Sequence, residues 1–570
     1  MLMHMKGHNA KSPCRMCSIV GVVGPNDSRT NYVPLNRAWI DEDDRIRVYD
    51  PTNLPMRTHD NLLAQAAEVQ AAPTNAQAER LAQQYGIKEI PALSFLDSLI
   101  FPTSFPYDFM HLIWENLVKN LVLHWTGQFK GLDDGSENYT IEKAIWEAIG
   151  AETAVSGATI PSTFGARVPD VANDKTTINA EMWSFWTMYL GPVLLRKRLS
   201  RKFYDHFILL VKLLNKCLQF EITTEEVNEI RQGFVEWVQK YEKYYYQYSP
   251  ERVSACPLTI HALLHIADSI ETMGPVWCYW AFPMERYCGS LQPAIRSRRF
   301  PYRSLDRYVL ETAQLMQIKL RYDVIEELKL GPSKVNPPQG SSELFSTPDY
   351  LLCPPKAQSP DGHLSAGLVT SICAALVTRL NTEHTPGQKK KRIPIGVVRQ
   401  HFKSAHVEIW GCVRQVDSEE GETIRASCVG GIAQEDSRDA TFIRYQAYVD
   451  LHARMNNRRQ KLVLQDFYGQ LERIIVVRFT EQAAYQALKL TSGEEICLAA
   501  IRTCKLDKKQ PLRDIGMDMH FYSGFGALDV IGIESIQSLM GRVRDRNKAG
   551  WALLDRSGTL RRTLYTDSDD

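Results

Sequence analysis

The sequence contains no apolar run of about 18 residues, so no transmembrane helix is expected. Its start, Met1–Ala10, is rich in Met and His and lacks an apolar stretch of signal-peptide length. Cysteine is too scarce for a disulfide scaffold: 12 thiols in 570 residues read as the reduced thiols of a nuclear or cytosolic protein. A surplus of either charge is missing too. Lys and Arg number 67 against 66 Asp and Glu, a net +1, so any grip on nucleic acid or on an anionic surface must be local. There is no Walker loop, no dinucleotide fingerprint behind a strand, no nucleophile elbow and no repeat period. What is present is a globular composition, 44% hydrophobic and 23% charged, which excludes wholesale disorder. At roughly 100–200 residues per domain, the length predicts about three to five domains or sub-domains.

Four segments are expected. Residues 1–60 are irregular and polar, with an acidic run at Asp41–Asp44, and predict loops with few strands. Residues 61–330 predict a mainly helical domain. A helix pair is expected around Pro73, and Phe109, Leu112, Ile113, Leu117, Leu121 and Trp125 form a helical stripe. Further helices start near Trp183 and Phe203. Thr223 and Glu226 form a capping box ahead of Val227, Ile230, Phe234, Val238 and Tyr241. Residues 331–392, rich in Pro, Ser and Gly and closed by Lys389–Arg392, read as a basic linker with one helix at 365–380. In 393–570 the period changes: Ile474–Val477, Glu495–Ile501 and Val530–Ile533 are short β-rich runs, and the domain is expected to be β-rich with an acidic tail at Asp567–Asp570. The fold class is therefore α+β.

Several residue groups can carry chemistry. Cys14-Arg15-Met16-Cys17 presents two thiols at zinc-ligand spacing, with His4 or His8 as a third donor and the fourth unidentified. Its competing reading is two ordinary buried thiols. Phe282-Pro283-Met284-Glu285 places a carboxylate in the first turn of a helix after the apolar stretch Trp277–Phe282, where it can serve a divalent metal or simply pair with a nearby arginine. Between Arg286 and Arg307 stand six arginines (Arg286, Arg296, Arg298, Arg299, Arg303, Arg307) against one acid, Asp306, interleaved with aromatic residues. Guanidinium forks suit phosphates, although a solvated basic face is the plainer alternative. His261 and His265 share a helix face, but a zinc protease needs Glu after the first His and here Ala262 stands there, so a structural, hydrogen-bonded pair beneath Glu285 is expected. Asp108 suits an N-cap for the Phe109–Trp125 stripe, with metal ligation by Asp108 and His111 as second choice.

Taken in order, His8–Cys17 (HNAKSPCRMC), Asp108–Asn116 (DFMHLIWEN), Leu258–Asp268 (LTIHALLHIAD) and Gly274–Arg286 (GPVWCYWAFPMER) resemble the CACTA-like (En/Spm-type) DNA transposases, most closely the Plavaka-type group of basidiomycete fungi. Phe467–Phe479 (FYGQLERIIVVRF) and Val543–Gly558 (VRDRNKAGWALLDRSG) fit the C-terminal part of that family. The resemblance implies a DDE-type cut-and-paste transposase with an RNase H-like core, in which three carboxylates hold two Mg²⁺ or Mn²⁺ ions for in-line attack on a phosphodiester. Glu285 matches the third acid, the helical stretch matches an insertion before it, and Cys14 with Cys17 matches a zinc-binding pair. Met1–Pro13 contain no Asp or Glu, so the first two acids and their strands are expected to be absent; Asn36 stands near where a zinc histidine would be sought.

The leading expectation is thus a DNA-binding transposase fragment, nuclear or cytoplasmic, not catalytic by itself. Glu285 would be a remnant ligand, Arg286, Arg296, Arg298, Arg299 and Arg303 the phosphate contacts, Cys14, Cys17 and His8 a zinc site, and an oligomer is allowed. A second expectation is a domesticated scaffold whose residues 393–570 bind a protein partner. A third is a self-contained metal-dependent nuclease built on Asp108, Glu285 and Asp268.

Overall fold

The computed structural model describes residues 3–25, 30–40, 47–297, 299–325, 327–328, 338–344, 347, 349–357, 364–382, 392–415, 423–429, 438–452, 461–546 and 550–556. Arg298, the acidic run Asp41–Asp44, the basic residues Lys389–Lys391 and the tail Asp567–Asp570 lie outside these residues. The described residues divide into two compact units, one made of residues 3–153 and 168–328, the other of 154–167 and 338–556.

In the first unit the N-terminal stretch is mostly irregular. Its regular strands are the two-residue pair β1 (Val22–Val23) and β2 (Asn31–Tyr32), antiparallel with Val22 opposite Tyr32. Helices α1 (His59–Gln70) and α2 (Asn75–Tyr85) flank Pro73. Thr58 and Thr74 cap them by accepting the amides of Asn61 and Gln77, and Gly86 closes α2 at φ +79°. Asp108 accepts the amide of His111 at 2.9 Å, the cap expected for the following stripe, which runs as a π-turn (His111–Leu117) into α3 (Val118–Trp125). Then come α4 (Lys143–Ser156), α5 (Ala180–Phe185), α6 (Gly191–Leu194), α7 (Arg201–Cys217) and α8 (Thr224–Tyr241). The Thr223–Glu226 capping box forms as read.

Helices α7 and α8 lock through a reciprocal pair: His206 Nε2 donates to the Trp237 carbonyl at 3.0 Å and Trp237 Nε1 donates to the His206 carbonyl at 3.1 Å. Around them Trp125, Tyr139, Phe203, Tyr241 and Tyr245 are fully buried, each contributing about 1.5–3 kcal/mol or more from apolar burial. A short α9 (Leu258–Ala262), a 3₁₀ turn (Leu263–His265) and α10 (Ile266–Met273) follow. Helices α11 (Phe282–Leu291) and α12 (Pro301–Tyr322) bury none of their side chains.

The second unit is a β-barrel with helices on its flank. Its elements are β3 (Ser342–Glu343), β4 (Tyr350–Lys356), α13 (Ala366–Thr382), α14 (Ile395–His401), β5 (Val407–Gln415), β6 (Thr423–Arg425), β7 (Phe442–Asp450), β8 (Leu462–Arg478), α15 (Gln482–Leu488), β9 (Glu495–Leu506), β10 (His520–Gly532), β11 (Ile536–Asp545) and β12 (Gly550–Asp555). The order β8-β7-β11-β12-β10-β9 closes on itself because β9 also pairs with β8. One cluster takes one residue from each of these six strands: Phe442, Tyr468, Cys504, Tyr522, Met540 and Leu553. Closure leaves no free edge on that ring. The second half of β8 carries a wing of β5, β4 and β6, over which Leu368, Ile372 and Leu376 of α13 pack against Ile475, Val477 and Leu498.

Residues 331–392, expected as a linker, thus supply β3, β4 and α13 to this unit, and the helix expected at 365–380 is α13. Residues 154–167 also belong to it: Asp439 donates its amide to the Ala158 carbonyl at 2.9 Å, and Thr159 Oγ1 donates to the Arg542 carbonyl at 2.5 Å. The fold is α+β with a C-terminal barrel.

Candidate metal centre and its surroundings

Cys14 and Cys17 lie on a loop clamped by its neighbours. Arg57 donates its amide to the Met16 carbonyl, Ser18 donates to the Pro55 carbonyl, and the buried Arg57 guanidinium reaches the carbonyls of Ser12, Cys14 and Cys17 at 3.0–3.2 Å. The loop faces the α9–α10 segment. Cys17 Sγ is 3.1 Å from His261 Nε2, Cys14 Sγ is 3.5 Å from His265 Nε2, and the two Nε2 atoms are 3.2 Å apart. All four ligand atoms fall within 4.8 Å of one another, and all four side chains are buried. With Zn–S of about 2.3 Å and Zn–N of about 2.0–2.1 Å, tetrahedral coordination puts neighbouring S and N atoms about 3.5 Å apart and two N atoms about 3.3 Å apart. The donor set, closure and spacing fit a structural zinc ion.

Outer partners orient the ligands as metal sites require. Asp268 Oδ2 stands 3.5 Å from His265 Nδ1 and is itself held by Arg231 at 2.5 Å. Tyr107 Oη and the Met16 amide both approach Cys14 Sγ at 3.4 Å. The charge balance of the cluster supplies one thiolate and two protons that a metal must displace. Burial opposes a Cys14 thiolate, but the hydrogen bond from Cys17 and the His265 and His261 imidazoles outweigh it and hold that thiol well below its ordinary range. The hydrogen bond to Cys14, together with burial, pushes the Cys17 thiol up. Burial disfavours a charged His265, yet the Cys14 thiolate and Asp268 raise its pKa to about 9. A bound cation would replace the protons on Cys17 and His265.

His8 is not part of this cluster. It sits exposed on the 3₁₀ turn Gly7–Asn9, because the five residues before Cys14 carry the chain back to the surface. The partners that complete the set are His261 and His265, expected as a structural pair beneath Glu285. The missed signal was the i, i+4 spacing itself, which is the second half of a Cys₂His₂ site. Asn36 takes no part; its side chain accepts the Ala38 amide at 3.1 Å.

Glu285 lies in the first turn of α11, as expected, but its approach is not buried: Trp277 is 39% exposed and Glu285 itself 57%. Among the described residues its partner is neither Arg286 nor a following arginine. Glu285 Oε1 is 3.1 Å from His111 Nε2, while His111 Nδ1 contacts Asp108 and Asp108 Oδ1 accepts the Ala281 amide at 2.6 Å. Asp268 is occupied at the Cys₂His₂ centre instead, so Asp108, Glu285 and Asp268 form no acidic trio; among the described residues that centre is the one grouping of ligands close enough for a metal. Arg286, Arg296, Arg299 and Arg303 are exposed and have no acidic partner among the described residues, whereas Arg307 pairs with Glu311 at 2.7 Å. No family model, no curated protein and no solved structure matches the chain.

Proposed function

We propose that the chain is a nuclear DNA-binding protein of DDE-transposase descent, with a zinc-stabilised helical unit and an arginine stripe that contacts phosphates. The observation that carries this reading is the buried meeting of Cys14 and Cys17 with His261 and His265. It joins two of the four motifs on which the resemblance to CACTA-like transposases rests, in a way that motif order alone does not require. Exposed guanidinium groups at Arg286, Arg296, Arg299 and Arg303, without an acidic partner among the described residues, supply the local positive charge that a chain of net +1 needs for this task. Under this reading Glu285 and the segment around it descend from an RNase H-like core whose intact form uses Mg²⁺ or Mn²⁺. Glu285, engaged with His111 and without two further acids beside it among the described residues, does not hold a metal pair, so strand transfer by this chain alone is not expected.

The test is duplex binding by fluorescence anisotropy. Four phosphate contacts give a slope of log K against log[salt] of about −3 to −4. Replacing Arg286, Arg296, Arg299 and Arg303 with Gln should flatten that slope and lower affinity at least tenfold at low salt. A salt-independent affinity, or one indifferent to the four changes, rejects the reading.

A second reading, a partner-binding scaffold, is favoured by one feature of the barrel unit. At the end of the β7–β8 hairpin Tyr448 (69% exposed) stands directly opposite Leu464 (47%), beside Leu462 (52%) and Leu451 (47%). Such a patch on a strand end suits a protein partner. Loss of a defined co-purifying partner on changing Tyr448 and Leu464 to Ser would support it; a partner-free, monodisperse chain would count against it.

A further inference from the structure

A cleft of about 640 Å³ opens in the first unit beside the metal centre, bordered by His8, Arg15, Tyr32, Tyr107, His111 and Lys130 among others. That volume lies within the ordinary range for small-ligand sites. Its cations are fixed rather than floppy. Arg15, the residue between Cys14 and Met16, lays its guanidinium over the Tyr107 ring at 4.3 Å, and its Nη1 donates to the Pro106 carbonyl at 3.2 Å. Lys130 holds its ammonium over the Tyr32 ring at 4.8 Å and donates to the Ser254 carbonyl at 3.3 Å. Each is thus preset by an aromatic platform and a carbonyl. His8 and His111 add two imidazoles. Among the described lining residues the one acid is Asp108, which is engaged by the Ala281 amide and by His111. Among the described charged residues of the lining, Arg15 and Lys130 stand against one acid, in a chain whose net charge is +1.

We propose that this cleft is a phosphate site that takes one phosphodiester of a DNA strand, with Arg15 and Lys130 as the contacts. The inference rests on the DNA-binding reading and adds a site distinct from the arginine stripe. The metal centre gains a role in it, since Cys14 and Cys17 bracket the tetrapeptide that presents Arg15, and ordering that loop keeps the guanidinium in place. A planar fork and a point charge together suit a tetrahedral anion with two free oxygens.

The experiment measures binding of a labelled 20-nucleotide single strand to the full chain across a salt series, beside titrations with a deoxynucleoside monophosphate and with inorganic phosphate. R15Q/K130Q should lose at least tenfold in affinity for the strand, and the salt slope should shrink by about 1.4, two contacts at about 0.7 each. Zinc content should stay unchanged. K130Q, at an exposed position remote in sequence from the zinc ligands, should lose part of the affinity and serves as the readout if Arg15 variants fail to fold. If the double variant binds the strand as wild type does while neutralising the arginine stripe abolishes binding, the cleft site is overturned and the DNA-binding reading stands. If the wild type binds monophosphate or phosphate in an Arg15-dependent way but no strand, the DNA assignment of the cleft falls together with that reading.

Discussion

Cys17 Sγ and His261 Nε2 sit 3.1 Å apart although 244 residues separate them in sequence. The Cys-x-x-Cys loop and the i, i+4 histidine pair are each half of a tetrahedral site, and neither binds tightly alone. Their union crosslinks the irregular N-terminal stretch to the helical unit. The purified chain is expected to carry one equivalent of zinc by elemental analysis. Cys17→Ser or His261→Ala should abolish that equivalent and cost several kcal/mol, seen as a lower unfolding temperature that added zinc no longer raises. Full zinc content in both variants would mean that the metal sits elsewhere.

Gly86 links the helix pair to the same centre. It ends α2 at φ +79°, and a Cβ there would lie 2.1 Å from the Ser12 carbonyl oxygen, two residues before Cys14. That carbonyl accepts from Arg57, which also holds the Cys14 and Cys17 carbonyls. Gly86→Ala should therefore cost about 2 kcal/mol or more, from the left-handed backbone and the clash together. It should also speed zinc transfer to a chelator, because the displaced segment leads into Cys14. An unchanged transfer rate would show that the loop is positioned independently of α2.

Much of this fold was legible locally, and most of the centre was not. The Thr223–Glu226 box, the Asp108 cap, the helix pair at Pro73 and the strands around Ile474–Val477 and Glu495–Ile501 depend on residues within one turn or one alternation, so spacing alone exposes them. The zinc half-sites were visible, but their pairing was not, because a 244-residue loop closure leaves no periodic trace. His8 looked better than His261 on proximity in sequence, which is a poor guide when a turn such as Gly7–Asn9 returns the chain to solvent. The barrel was readable as β-rich but not as closed: closure depends on the long β8 pairing with both β7 and β9, and residues 331–392 read as a linker because prolines such as Pro354 and Pro355 sit within β4.

Glu242 tests how the N-terminal segment is docked. Its carboxylate accepts the amides of Leu35 at 2.5 Å and Asn36 at 3.1 Å, while burial pushes its pKa up to about 7 against those bonds and the nearby Arg37. Both oxygens are used as acceptors. Glu242→Gln turns one acceptor into a donor facing an amide, and should cost about 1–3 kcal/mol by leaving that amide unsatisfied. Thermal unfolding measures this directly, and a change below a few tenths of a kcal/mol would show that water replaces the lost acceptor.

Two buried histidines outside the metal centre set an acid limit on stability. His124, stacked on Phe129 at 4.0 Å, donates from Nε2 to Tyr241 Oη at 2.9 Å, since that hydroxyl gives its own hydrogen to the Ala255 carbonyl. His206 stacks on Trp237 and donates to its carbonyl. Burial pushes both pKa values down to about 3, against about 6.5 in the unfolded chain. Below about pH 6.5 the unfolded state takes up two protons that the folded state refuses. Stability should therefore fall as the pH drops from about 6.5 towards 3, by up to about 1.4 kcal/mol per pH unit for each histidine, and be insensitive to these groups above that window. Denaturant midpoints at pH 7.5 and 5.0, with zinc saturating, give the slope. A His124→Phe/His206→Asn double variant, less stable at pH 7.5, should lose markedly less on acidification than wild type. An equal loss in both proteins would place the acid sensitivity in other groups.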